Sequence, residues 1–279
     1  MKKNMEGSVA IITGAAGGIG TEIARIFDAN GIKCVLCDIN EKGLSDTASM
    51  LKQHALTIRC DITSRADIQK TIEKAISHFG KIDILVNNAG IIFPSLFEDC
   101  TYEDMDRQIM INQVGAMNFT RAIIDPLKKN GGGFIITTSS LAGIVPETYS
   151  AVYSATKFAL RGFNLTLNIE LARHNIFVGT IFPDSIDTPM LRYESEHNGS
   201  PLTFLSTPQK PEAVARAVYR AITKRKIESY VPAFSATLPK LLTCIPRVIP
   251  TIWRMLEKEG EKKKQAYQNN QNKRRMNHD

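Results

Sequence analysis

The sequence predicts an α/β protein assembled from parallel β-α-β units, and three observations carry that expectation. Short apolar runs of strand character alternate with segments of helical periodicity from Ser8 to about Pro232. A glycine-rich turn joins the first apolar run to the first helical segment. The polar motifs fall at the carboxyl ends of the apolar runs, where open parallel sheets collect their ligands.

In chain order, 8–13 is a buried strand followed by Gly14-Ala15-Ala16-Gly17-Gly18-Ile19-Gly20 and then a helix from Thr21. Glycines here let the backbone approach a pyrophosphate, and the free N–H groups of the helix start face its charge. The second strand, 32–38, closes on Asp38, about 20 residues past the turn, where an acid binds the adenosine ribose hydroxyls. The same carboxylate repels a 2′-phosphate, so NAD is favoured over NADP, although Lys42 can reach the region. A helix over about 41–54 leads to a strand ending in Asp61, and a helix over about 64–79 carries Asp67 in its first turn and Gly80 at its end. The run 82–86 enters Asn87-Asn88-Ala89-Gly90, 102–129 is helical and includes Asn112, and the strand 133–138 enters Ser139-Ser140. A helix over about 153–173 precedes the strand 177–183. The segment from Pro183 to about Lys210 lacks periodicity and has the length of a lid. A helix starts at Pro211, and 228–232 is the last strand.

Tyr153 and Lys157 lie four residues apart, on one helix face one turn apart. A phenol's ordinary pKa of about 10 is too high for a good base at neutral pH. A nearby ammonium lowers it toward the range where acid–base catalysis is efficient.

Composition bounds the remaining classes. The 279 residues are 43% hydrophobic and 23% charged, ordinary for a globular chain. From Lys240 onward there are ten Lys/Arg and four acids, leaving 25 and 24 in the rest, so the net charge of +7 belongs to the tail and the body is not built for nucleic acid. No run of about 20 apolar residues spans a membrane, and the apolar run from Val9 to Ile12 is too short for a signal-peptide core. Five cysteines, an odd number, are expected as reduced thiols in a cytoplasmic protein. Cys34 and Cys37 have CxxC spacing, but residues three apart in a strand face opposite sides, so both are expected as buried hydrophobes and no metal site is expected.

The joint order of Thr13-Gly14-Ala15-Ala16-Gly17-Gly18-Ile19-Gly20, Asp61, Asn87-Asn88-Ala89-Gly90, Asn112, Ser139-Ser140 and Tyr153-x-x-x-Lys157 resembles the short-chain dehydrogenase/reductase family over residues 5–235. The resemblance implies a Rossmann three-layer sandwich with a mostly parallel seven-stranded sheet. It implies one dinucleotide-binding and catalytic domain over 1–235, an apolar and basic extension over 236–279, and a homodimer or homotetramer formed through a four-helix interface. It makes Tyr153 the general acid/base and has Lys157 lower its pKa and bond the nicotinamide ribose. Ser140, thirteen residues before Tyr153, orients the substrate oxygen, and Asn112 supports a proton relay through water. The implied cofactor residues are Gly14, Ala16, Gly18, Ile19, Gly20, Asp38, Asp61, Ile62, Asn88, Ala89, Gly90, Pro183, Ile186 and Thr188, with Tyr153 and Lys157. One departure stands out: the family often has Pro-Gly after the sixth strand, whereas Pro183-Asp184-Ser185-Ile186-Asp187-Thr188-Pro189 is similar to the form in 3-ketodihydrosphingosine reductases and related lipid-acting members.

The expected activity is NAD(H)-dependent interconversion of a secondary alcohol and a ketone on a lipophilic, steroid-, retinoid- or lipid-like substrate. The alternative is a 3-oxoacyl or 3-ketosphinganine-type reductase. A non-catalytic nucleotide-binding scaffold ranks last, because such members usually lack part of the Ser/Tyr/Lys set. In the tail, Leu238, Leu241, Leu242, Ile245, Trp253 and neighbouring apolar residues precede Lys262-Lys263-Lys264 and Lys273-Arg274-Arg275. Two readings stand side by side: peripheral membrane contact through 237–264, or packing over the pocket or a neighbouring subunit with a disordered end.

Overall fold

The computed structural model describes residues 5–235 and 237–276, with the side chains of 238 and 274–276 left outside the description. Leu238, Arg274 and Arg275 of the tail motif therefore fall outside the described side chains. Seven strands form one sheet: β1 (Val9–Thr13), β2 (Lys33–Asp38), β3 (Leu56–Arg59), β4 (Ile84–Asn87), β5 (Gly133–Thr138), β6 (Ile176–Pro183) and β7 (Glu228–Val231). Their order is β3-β2-β1-β4-β5-β6-β7, and every neighbouring pair is parallel. The order reverses between β1 and β4, which opens a crevice at the strands' carboxyl ends. β1, β4, β5 and β6 are buried along their whole length, as continuous Val/Ile/Phe runs in a parallel sheet require.

The helices are α1 (Gly18–Ala29), α2 (Glu41–Ser49), α3 (Arg65–Phe79), α4 (Tyr102–Gln108), α5 (Ala116–Lys129), α6 (Ala151–Leu171), α7 (Pro189–Glu196), α8 (Pro211–Lys224), α9 (Thr237–Thr243) and α10 (Ile249–Met276). On one face of the sheet Ile12, Leu36 and Val86 pack with Ile23, Phe27, Val214 and Val218 of α1 and α8. On the other, Ile11, Leu85 and Ile135 pack with Ile68, Ile72, Phe119, Ile123 and Leu171 of α3, α5 and α6. Cys34 falls in the first cluster and Cys37 in the second, on opposite sides of β2. Burial pushes the Cys34 thiol up to about 12 and the Cys37 thiol up as well, so both behave as apolar groups.

Local signals account for most boundaries. The Ser64 hydroxyl accepts from the Asp67 amide at 3.2 Å to cap α3, and Gly80 ends it with φ 80°. α2 stops five residues short of the expected end, because the Lys52 and Gln53 amides donate to the Asp28 carboxylate at 2.8 and 2.9 Å and pull the chain out of the helix. The segment after Pro183 is less irregular than expected. Thr188 caps α7 and Pro189 takes its first position, a start signal that several nearby prolines obscure.

The expected disordered end lies partly outside the described residues, at 277–279, and the described extension is helical. α10 is continuous to Met276, rich in Glu, Lys and Gln that favour helix. It is tied down along its length: the buried Trp253 ring nitrogen donates to Pro146 O at 2.7 Å, and the Thr148 hydroxyl donates to Glu257 at 2.7 Å. A Cβ on Gly260 would lie 2.2 Å from Pro201 O, so only glycine lets the helix approach that loop. Trp253 joins Leu141, Ile144, Val145 and Phe182 in a separate apolar cluster, so this Trp is a packing residue and not an interfacial anchor. No described helix is long and apolar enough to cross a membrane.

Candidate active site

Two clefts meet at Gly90, at the carboxyl ends of the strands. One holds about 1090 Å³ of empty space, part of it open to solvent, between Gly14, Asp38, Asp61, Ile62, Ala89 and Met110. The other, about 720 Å³ on the same measure, lies against Ser140, Tyr153, Lys157, Pro183, Ile186 and Thr188.

The first cleft is shaped by backbone. Gly14 has φ 64°, and a Cβ there would sit 2.8 Å from Ala89 Cα. Gly18 has φ 52°, and its added Cβ would touch Thr188 Cγ2 at 3.4 Å, so the start of α7 closes over the glycine turn. A Cβ on Gly20 would fall 2.0 Å from Gly14 O, which is why α1 can start so close to β1. The Asp38 carboxylate accepts from the Ala16 amide at 3.1 Å and the Asn40 amide at 3.0 Å, fixing the end of β2 against the turn. Asp61 accepts from the Thr63 amide and hydroxyl at 2.9 and 2.7 Å, which sets the turn carrying Ile62. Asn88 Nδ2 donates to Thr13 O and Gly14 O, both at 3.2 Å, and Thr13 Oγ1 accepts from the Asn88 and Ala89 amides at 3.0 and 3.1 Å. Ile19 lines the second cleft, beside Ile186 and Pro183. This arrangement fits a dinucleotide: positive-φ glycines, a helix N-terminus facing the crevice and an acid on the next strand.

The second cleft is shaped by buried side chains. The Tyr153 phenol and the Ser140 hydroxyl line the same cleft, and Ser140 draws the phenol's pKa down. Ser140 accepts from the Ala142 amide at 3.1 Å, whereas Ser139 is buried and donates to Lys157 O at 3.1 Å. Lys157 Nζ lies 5.2 Å from the Tyr153 ring centroid and donates to Thr138 O at 3.4 Å. Asn112 occupies a π-helical turn, Ile109–Gly115, of the kind often found at functional sites. Its amide grips Ile91 through both N–H and C=O at 2.8 Å and touches Thr156 Oγ1 at 3.4 Å. A Cβ on Gly90 would meet Asn112 Oδ1 at 3.3 Å and Lys157 Nζ at 3.5 Å, so all three residues converge.

The electrostatics differ from the sequence expectation. Burial pushes the Tyr153 phenol up, and the carboxyls of Glu194 and Glu147 push it further, against the lowering influence of the Ser140 hydroxyl. Burial also lowers Lys157 to about 8, so its positive charge is itself weakened by the desolvation that raises the phenol. Spacing on a helix could not reveal this, because Glu147 precedes the helix and Glu194 lies on α7. Glu147, Glu194 and Thr138 also line the second cleft, and sequence motifs gave no signal for them. Among the described residues no group of three or more His, Cys, Asp or Glu side chains could hold a metal ion.

A dinucleotide crevice joined to a Ser/Tyr/Lys set, its Tyr153 and Lys157 buried, defines a nicotinamide-dependent oxidoreductase. The short chain dehydrogenase profile matches residues 8–199, and the chain belongs to that family. It is 37% identical over 182 residues to an uncharacterized oxidoreductase of Staphylococcus epidermidis, covering 65% of this chain and 79% of that one. It is 36% identical over 193 residues to a 2,5-dichloro-2,5-cyclohexadiene-1,4-diol dehydrogenase of Sphingobium indicum, covering 68% and 77%. The structure of a 3-ketoacyl-(acyl-carrier-protein) reductase from Brucella melitensis complexed with NADH superposes with a TM-score of 0.75 at 32% identity, covering 81% of this chain and 96% of that one. The protein is accordingly an oxidoreductase acting on CH–OH groups.

Proposed function

We propose that the protein interconverts a secondary alcohol and a ketone with NAD(H), on a largely lipophilic carbon frame. The observation that carries this is the convergence of Ser140, Tyr153 and Lys157 on one cleft, with Lys157 Nζ 5.2 Å from the Tyr153 ring centroid. A bound nicotinamide would supply the hydride chemistry at the substrate carbon. Ser140 holds the substrate oxygen beside the phenol. Tyr153 gives its proton to that oxygen in reduction and takes the hydroxyl proton in oxidation. The raised phenol keeps its proton at neutral pH, which is the state reduction uses. Lys157 and Asn112 converge on Gly90 and position the ring face of the site. Asp38, held by the Ala16 amide, supports a preference for NAD over NADP through ribose contact and repulsion of a 2′-phosphate. Ile19, Ile186, Met190 and Leu191 supply the apolar part of the lining that favours a lipophilic frame.

A 3-oxoacyl reductase is the second reading, favoured by the likeness to the Brucella enzyme. Family members are generally oligomeric, and the exposed Phe158, Leu165 and Ile169 on α6 support a homodimer or homotetramer. Exposed Leu241, Ile245 and Met255 among the basic residues of the extension support peripheral membrane contact. The test of the activity is a screen of NADH and NADPH against long-chain ketones, 3-oxoacyl thioesters and secondary alcohols. Turnover with NADH on a ketone or alcohol supports the proposal; turnover confined to acyl thioesters establishes the second reading.

A further inference from the structure

The wall facing Tyr153 is built from carboxyl groups that hydride transfer does not use. Glu147 follows the turn Leu141–Gly143 that Ser140 caps, Glu194 lies on α7, and Asp184 follows β6; all three line the Tyr153 cleft. Two of them have protein partners. Asp184 accepts from the Ser206 hydroxyl at 2.9 Å. Glu194, 8% exposed, feels the charge of Lys264 on α10, whose Nζ donates to Gly199 O at 2.9 Å. Glu147 has no hydrogen bond or ion pair among the described residues, and the charges acting on it are those of Glu194 and Asp184.

A separate observation concerns hydroxyls. Ser185 Oγ, in a residue 1% exposed, and Thr138 Oγ1, in a residue 7% exposed, line the same cleft and have no hydrogen-bond partner among the described residues. Buried polar groups nearly always find partners. Unpartnered groups that converge on a cavity beside a reacting pair fit a ligand that supplies those partners. Burial, with the charges of Glu194 and Asp184, pushes Glu147 up to about 8, and burial pushes Glu194 up to about 8, so this wall exchanges protons near neutral pH and is relieved by a donor or a cation.

We propose that Glu147, with Glu194 behind it, recognises a second hydrogen-bond-donating group, a hydroxyl or an ammonium, carried on the same carbon frame as the reacting alcohol or ketone. The inference rests on the hydride-transfer reading and names its substrate class: a diol or amino alcohol, or the corresponding ketone, on an otherwise apolar frame. A purely hydrocarbon body would leave Glu147, Ser185 and Thr138 desolvated and unpaired, which costs binding free energy. Both donors satisfy the same carboxyl oxygens; they differ in charge.

The test measures binding to the full-length enzyme loaded with NADH, so that an alcohol forms a dead-end complex without turnover. Cyclohexanol, trans-1,4-cyclohexanediol and trans-4-aminocyclohexanol are titrated against the fluorescence of bound NADH. The expected result is that the diol, the amino alcohol or both bind at least about tenfold more tightly than cyclohexanol, the size of one good polar contact. Glu147→Leu collapses that ratio to about one, and Glu147→Ala serves if the Leu variant fails to bind NADH. Glu147→Gln keeps an acceptor and removes the charge: a ratio retained for the diol identifies the hydroxyl, and one lost for the amino alcohol identifies the ammonium. Equal affinity for all three probes, or an advantage that survives both Glu147 truncations, overturns the proposal. Turnover with NAD is measured separately: a cleft that binds the diol selectively but oxidises nothing sinks the hydride-transfer reading and the substrate class with it, while turnover without selectivity sinks this proposal alone.

Discussion

On the Asp38 side of Gly90 the cleft is walled by main chain; on the Tyr153 side it is walled by ionisable side chains. The first is held by glycines that exclude a Cβ and by short amide-to-carboxylate bonds, such as Ala16 to Asp38 at 3.1 Å. Such a wall is formed by local sequence and keeps its shape with few alternatives. The second gathers Glu147, Tyr153, Lys157 and Glu194 from a loop and two helices, and the C-terminal extension buttresses it through Trp253, Glu257 and Lys264. The contrast teaches that the shape of the first cleft is a property of backbone geometry, while the lining and proton affinity of the second are properties of long-range packing.

That division can be broken or sharpened by substitution. The largest effect falls in the side-chain wall. Lys157→Met removes a buried charge without a large change in volume, so the fold is retained while kcat falls about 10²-fold or more, checked by steady-state kinetics beside a far-UV spectrum. Next, Gly14→Ala forces a side chain into a left-handed backbone and against Ala89 Cα at 2.8 Å. The expected outcome is NADH binding weakened about tenfold or more, read by fluorescence titration, from a strain of about 1–2 kcal/mol plus the contact. Asp38→Ser tests the same wall more gently. The ratio of NADPH to NADH affinity rises about tenfold, corresponding to about 1.4 kcal/mol of lost repulsion and lost ribose contact.

The smallest expected effect is on stability. Glu147 titrates near 4.5 when exposed and is pushed up to about 8 in the fold, with Glu194 and Asp184 facing it. Between these values the native state holds a proton that the unfolded chain releases, so this group's contribution to stability declines as pH rises through the window. Glu147→Gln therefore raises the melting temperature at pH 8 and leaves it nearly unchanged at pH 4, by about 2–4 °C for each kcal/mol relieved. Equal shifts at both pH values would assign the effect to packing and not to ionisation.

The same contrast explains what the amino-acid sequence made legible. The glycine turn, Asp38 at the end of β2 and the cap of α3 by Ser64 are visible because their causes lie within a few residues. The parallel sheet follows from the alternation of apolar runs with helical periods. The shortened α2 depends on Asp28 capturing amides 24 and 25 residues away, which no local pattern reports. α7 carried a local start signal, Thr188 followed by Pro189, hidden among other prolines. The helical tail depends on contacts such as Gly260 with Pro201 and Trp253 with Pro146, both long-range. The raised phenol depends first on burial and then on Glu194 and Glu147, all of them fixed only when α7 folds over the cleft.

The central claim is that Tyr153 transfers the proton in a hydride-transfer site. It is tested by Tyr153→Phe, assayed on whichever alcohol or ketone of the screen turns over fastest, with NADH affinity measured on the same preparation. The account predicts kcat lower by about 10²-fold or more, with NADH affinity within about threefold of the parent, because the first cleft is untouched. A variant that binds NADH normally and retains the parent's kcat would contradict it.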